Sequence, residues 1–195
     1  MGQPRVIGKN ALIGSIVSAG FGIGWVEWGT LNLGGTASTV IRVVGVVIGV
    51  VLIVRSIRLR HQQRVAQRAN PGSAEPSMLA SRGYRLVVAV EAAALIAGYL
   101  VLGAIGHGTY QIVWFALVVG VHFVVFGRLF EFRFYFVGAA LIAAAIAGLI
   151  VGIAGGGVAL VQAVTGFASG LTLFVTPLVT IVQYQAQQSQ VEAVA

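Results

Sequence analysis

After its first ten residues the sequence keeps returning to unbroken apolar runs of the length that crosses a bilayer. A hydrocarbon core about 30 Å thick is spanned by about 20 helical residues at 1.5 Å each. Such runs are predicted at about 11–28, 39–57, 84–104, 109–127, 134–153 and 158–182. They recur too often for the buried core helix of a soluble domain. Only 9% of the 195 residues are charged, against roughly 25% in ordinary soluble domains. A transmembrane β-barrel would instead show segments of about ten residues alternating apolar and polar. The expectation is an all-α polytopic membrane protein, residues 1–195 forming one transmembrane helical bundle of six spans.

Orientation is read from the arginines. Arg55, Arg58, Arg60, Arg64 and Arg68 gather at and beyond the end of the second apolar run, and Arg82 and Arg85 at the start of the third. Segments rich in Lys and Arg resist transfer across the membrane, so residues 55–85 are expected to form a basic cytoplasmic loop. Arg5, Lys9, Arg128 and Arg133 fall on the same side, and only Arg42 falls toward the other. Both termini are therefore expected in the cytoplasm, with the chain in the plasma (bacterial inner) membrane. The first run is read as a retained helix, because Ser18 and Gly20 make a poor signal-cleavage site and Trp25 and Trp28 suit a membrane interface. Nothing between Ser56 and Ala69 breaks a helix, so the second span is expected to continue into the basic segment. Asn70-Pro71-Gly72 then stops it. The polar tail 183–195 is expected to be loose.

A net charge of +7 would suggest nucleic acid as the partner of a soluble protein. Here the basic residues serve topology, and Arg55, Arg58, Arg60, Arg64 and Arg68 are expected to bind anionic lipid headgroups or a cytoplasmic partner. Small residues recur every four positions at Gly14, Ser18 and Gly22, at Gly45 and Gly49, and at Ala140, Ala144, Gly148 and Gly152. That spacing lets helix backbones approach closely, within one chain or between copies in a homo-oligomer.

Glu91 is the leading candidate for chemistry. An ionisable group within an apolar span costs roughly 2.5 to 3.5 kcal/mol on insertion scales. It lies six residues inward from Arg85, about 9 Å along a helix, and His122 lies six residues from Arg128 on the next span running the opposite way. The two are expected at one depth on antiparallel neighbours, either as a proton relay or substrate group or as a structural clamp. Arg128 joins them as a candidate. Glu27 and Arg42, near the outer ends of the first two spans, form a second expected pair, a staple or an external gate. The sixth helix carries Gln162, Thr165, Ser169, Thr172, Thr176, Thr180 and Gln183 three or four apart, hence on one face. That stripe either lines a wet cavity, with Gln162, Ser169 and Thr172 on a pathway, or bonds across a tight helix interface. Pro177 is expected to kink this helix.

Several chemistries are closed. The sequence has no Cys and no Asp, and His61, His107 and His122 fall in different regions, so no metal site is expected. No Ser-His-Asp arrangement exists. The glycines of 152–157 lack the Lys-Ser/Thr of a phosphate loop. No cofactor and no enzymatic activity are expected.

Gly120-Val121-His122-Phe123, continued by Arg128-Leu129-Phe130 and Arg133-Phe134-Tyr135, resembles a loosely defined set of small bacterial multi-spanning membrane proteins of unknown function. These carry a His-Phe box near a helix end, followed by an Arg and an aromatic turn. The resemblance implies weight on His122 and Arg128 and brings no activity with it. Two functions remain: a small transporter or channel using the Glu91/His122 pair, and a non-transporting accessory or scaffold subunit whose basic segment holds a partner or anionic lipid. No three-plus-three internal repeat of the kind many transporters carry is apparent.

Overall fold

The computed structural model describes residues 9–69 and 81–192. They form six α-helices: α1 (Lys9–Thr30), α2 (Gly35–Ala69), α3 (Arg82–Ala104), α4 (Gln111–Leu129), α5 (Arg133–Ile153) and α6 (Val158–Glu192), with a 3-10 turn (Gly108–Tyr110) leading into α4. Each of the six is long and apolar enough to cross a membrane. The chain is an all-α, multi-pass membrane protein. Arg5, the linker at 70–80 and the side chain of Arg68 lie outside the described residues.

The helices begin and end close to the expected spans, with two departures. α2 starts at Gly35 rather than near Thr39. Gly35 takes a left-handed φ of +80°, which turns the chain, and the Ser38 hydroxyl donates back to its carbonyl at 3.1 Å. The second departure is the tail, which continues as helix to Glu192 instead of being loose. Its first turns still have a surface to bury: Ile181 and Tyr184 pack with Leu59 of α2, and Tyr184 hydrogen-bonds with Gln63 and Gln188. α2 runs unbroken through the basic segment, as expected. Each of these helices is 35 residues long, about 52 Å, so both overrun a hydrocarbon layer of about 30 Å.

Close approach of backbones organises the bundle. α1 lies most intimately on α6, α4 on α5, and α1 also on α2. A Cβ at Gly166 would sit 2.5 Å from the Cα of Gly29, so here two helices meet with no side chain between them. Gly120 of α4 and Gly138 of α5 face each other in the same way. Gly45 and Gly49 receive Val26 and Ile23 of α1, and Gly148 receives Thr165. One stripe differs from expectation: Gly14 is exposed, and the packed positions of α1 are Ser15, Ser18, Ala19, Gly22, Val26 and Gly29. A spacing of four drifts around a helix of 3.6 residues per turn, and the neighbours select which glycines are used.

Pro177 lies inside α6 and is fully buried. Proline has no N–H to give the carbonyl four residues earlier, which is Leu173. The Ser18 hydroxyl of α1 donates to that carbonyl at 2.8 Å. The bond removed by proline is thus replaced from the neighbouring helix, as apolar surroundings without water require.

α3 stands apart. None of its residues is buried, and it rests on α4 and the connecting turn.

Candidate functional site

α3 and α4 are joined by side chains rather than by backbone contact. At one end Tyr84 stacks on Phe126, with ring centroids 5.3 Å apart. Near the middle the indole of Trp114 lies in a notch left by Gly98 and its Nε1–H donates to the carbonyl of Ala94 at 2.9 Å. At the far end the Gln111 amide donates to the carbonyl of Tyr99 at 3.0 Å. Sequence reasoning missed Trp114 and Gly98 because a tryptophan near a span end reads as an interface anchor. The signal was the glycine one helical turn from Ala94 on the facing helix.

Within this seam lie Glu91 and His122. Glu91 Oε2 is 2.9 Å from His122 Nδ1, the side chains being 18% and 8% exposed. The contact is an ion pair when the imidazole is protonated, and Nδ1 has no other partner among the described residues. Phe126 lies over the imidazole at 4.0 Å between centroids, and Phe123 meets it edge-on at 5.4 Å. The aromatic shell continues through Phe130 and Phe134. The His-Phe segment thus places an imidazole among rings that exclude water, with one carboxylate as its polar neighbour. Such surroundings strengthen any electrostatic interaction within them.

The Glu91 side chain keeps a small exposed area. Its other oxygen, Oε1, has no hydrogen-bond partner among the described residues. Next along α3 is an open groove of about 330 Å³ lined by Ala92, Leu95, Ile96, Tyr99, Leu100 and Phe115. The groove is apolar, and in a bilayer it opens toward lipid. Arg128 is exposed, lies about 9 Å along α4 from His122, and makes no ion pair or hydrogen bond among the described residues. The structure does not bring it to the pair.

The polar stripe of α6 belongs to a different interface. Thr165 and Ser169 are fully buried, Thr165 against Gly148 of α5, and their hydroxyls lack partners among the described residues. Gln162 accepts from Asn32 at 2.7 Å. Thr172, Thr176 and Thr180 donate to the carbonyls four residues earlier, at 2.8, 2.9 and 3.0 Å. Gln162, Ser169 and Thr172 thus lie on α6, apart from the seam that holds Glu91 and His122, with Gln162 bonded to Asn32 and Thr172 to its own helix.

Glu27 and Arg42 approach, with Arg42 Nε 3.8 Å from Glu27 Oε2, but the stronger contacts of Arg42 are elsewhere. Its Nε donates to the Thr30 hydroxyl at 2.7 Å and an Nη to the Thr30 carbonyl at 2.9 Å. A guanidinium on the last carbonyl of α1 satisfies an orphan acceptor and complements the negative end of the helix dipole. Thr30 was not anticipated, although a threonine closing an apolar run is a usable signal. Among the described residues, no three His, Cys, Asp or Glu side chains gather as a metal site. Arg55, Arg58 and Arg64 project from α2 exposed, with Arg60 half-buried.

No protein-family model, characterised protein or solved structure matches this chain.

Proposed function

We propose that this membrane protein is a small transporter whose proton-carrying group is the Glu91/His122 pair, entered from the α3–α4 face rather than along the bundle axis. The reading is carried by the 2.9 Å approach of a carboxylate and an imidazole inside apolar helices, with Oε1 left without a hydrogen-bond partner among the described residues. Histidine is the side chain that ordinarily changes charge between pH 5 and 8. With the proton on the imidazole, the pair is charged and holds α3 to α4. When the carboxylate takes a second proton from outside, the attraction falls and a positive imidazole remains among aromatic rings. Loss of that proton restores neutrality. Because α3 rests on α4 through few contacts, each protonation step biases how firmly it is seated. Proton binding and helix position are thereby linked, as a coupled carrier requires.

The test is proton flux into proteoliposomes carrying an internal pH dye, driven by an imposed potential. Glu91→Gln and His122→Gln are each expected to reduce flux at least tenfold while the protein still elutes as a folded species. Full flux in both variants, with only a lowered Tm, reduces the pair to a clamp and sinks the proposal.

A further inference from the structure

The arginines of α2 lie where one helix face changes from apolar to basic. Val47, Val51, Val54, Arg55 and Arg58 recur at intervals of three and four, so they share a face. That face is outward: the valines are 54%, 52% and 41% exposed and both arginines are exposed. The opposite side of the same turns, Leu52, Ser56 and Leu59, is buried in the bundle. Neither Arg55 nor Arg58 makes an ion pair or hydrogen bond among the described residues, unlike Arg42 on the same helix. Glu131, in the α4–α5 turn, is the acid among the described side chains at this end.

We propose that this face of α2 binds an anionic phospholipid, its acyl chain along Val47, Val51 and Val54 and its phosphate held by Arg55 and Arg58. Two guanidinium forks one helical turn apart match the geometry of a phosphate diester. Their place directly after the last valine of the stripe is where hydrocarbon gives way to headgroups. A soluble acidic protein would have to press against the membrane plane to reach them, over valines the bilayer already covers. Arg64 lies six residues beyond Arg58, about 9 Å further out, and serves as an internal control. The inference does not depend on the Glu91/His122 site.

The experiment is native mass spectrometry of the full chain in detergent, titrated with phosphatidylglycerol or phosphatidylcholine of identical acyl chains. The wild type is expected to prefer phosphatidylglycerol. Arg55→Gln/Arg58→Gln is expected to weaken that lipid roughly 25-fold, from about fivefold per arginine, and to leave phosphatidylcholine unchanged. Arg64→Gln is expected to have little effect. Arg55→Lys/Arg58→Lys, which keeps the charge, is expected to retain the preference at reduced affinity. The proposal is overturned if the glutamine pair holds phosphatidylglycerol like the wild type or if the lysine pair loses the preference. It also fails if Arg64→Gln alone reproduces the loss, which would place the headgroup site further along α2. Equal binding of inorganic phosphate would identify a free anion in place of a lipid.

Discussion

The α1–α6 contact and the α3–α4 contact are built from opposite materials. Where α1 meets α6, glycine faces glycine and the backbones touch, so neither helix can shift without opening a gap that no side chain can fill. Where α3 meets α4, the helices are bridged by an indole, an amide, two stacked rings and one carboxylate–imidazole contact, and no residue of α3 is buried. The first contact is a fixed frame, and the second is a set of separable links. The only carboxylate–imidazole contact among the described residues lies in the separable one.

The sharpest way to break this contrast is to add a side chain to each interface. Gly166→Val must displace the Gly29 backbone and is expected to destabilise the protein by about 3 kcal/mol, read as loss of Tm in micelles. Gly83→Ala on α3, whose new Cβ would meet only Leu129 at an ordinary 3.7 Å, is expected to stay within about 0.5 kcal/mol. Equal losses from the two would erase the distinction between frame and links.

Gly98→Ala sharpens it from the other side. The added methyl expels the Trp114 indole and its hydrogen bond to Ala94, at an expected cost of about 1–2 kcal/mol. The loss should be confined to α3, so cysteines placed on its α4-facing side should become reactive while those on α6 remain protected. Ser18→Ala tests the frame more gently, by orphaning the Leu173 carbonyl for about 1 kcal/mol. In a Pro177→Ala background the restored N–H can serve that carbonyl, so Ser18→Ala should there be nearly neutral. An unchanged penalty in the double variant would show that Ser18 acts through packing alone. The smallest effect is expected at Ser169, a buried hydroxyl without a partner among the described residues. Its replacement by Ala should be neutral or raise stability by up to about 1 kcal/mol.

The depth of the Glu91/His122 pair was legible because helical rise is constant. Six residues inward from Arg85 and six from Arg128 place two side chains at one level on antiparallel neighbours. Placing Glu27 and Arg42 near the outer ends of adjacent spans brought them together but missed that Arg42 caps α1 through Thr30, since helix-end carbonyls leave no mark in composition. The α6 stripe was ambiguous for a similar reason. Hydroxyls spaced by three and four serve a cavity or an interface equally well until the neighbouring helix is known, and here Gly148 presses on Thr165.

Apolar run length and the absence of alternation were sufficient to determine six helices, because in hydrocarbon each backbone must satisfy its own hydrogen bonds. The absence of a helix breaker between Ser56 and Ala69 likewise sufficed for the continuation of α2 through its arginines. Which faces meet was decided only in three dimensions. Lipid and protein interior are equally apolar, so hydropathy cannot tell a lipid-facing valine from a buried one, and shape alone selects the partner. That selection exposed Gly14, gave Ser18 the carbonyl freed by Pro177, held the tail of α6 against α2, and left α3 on the rim with Glu91 turned toward His122.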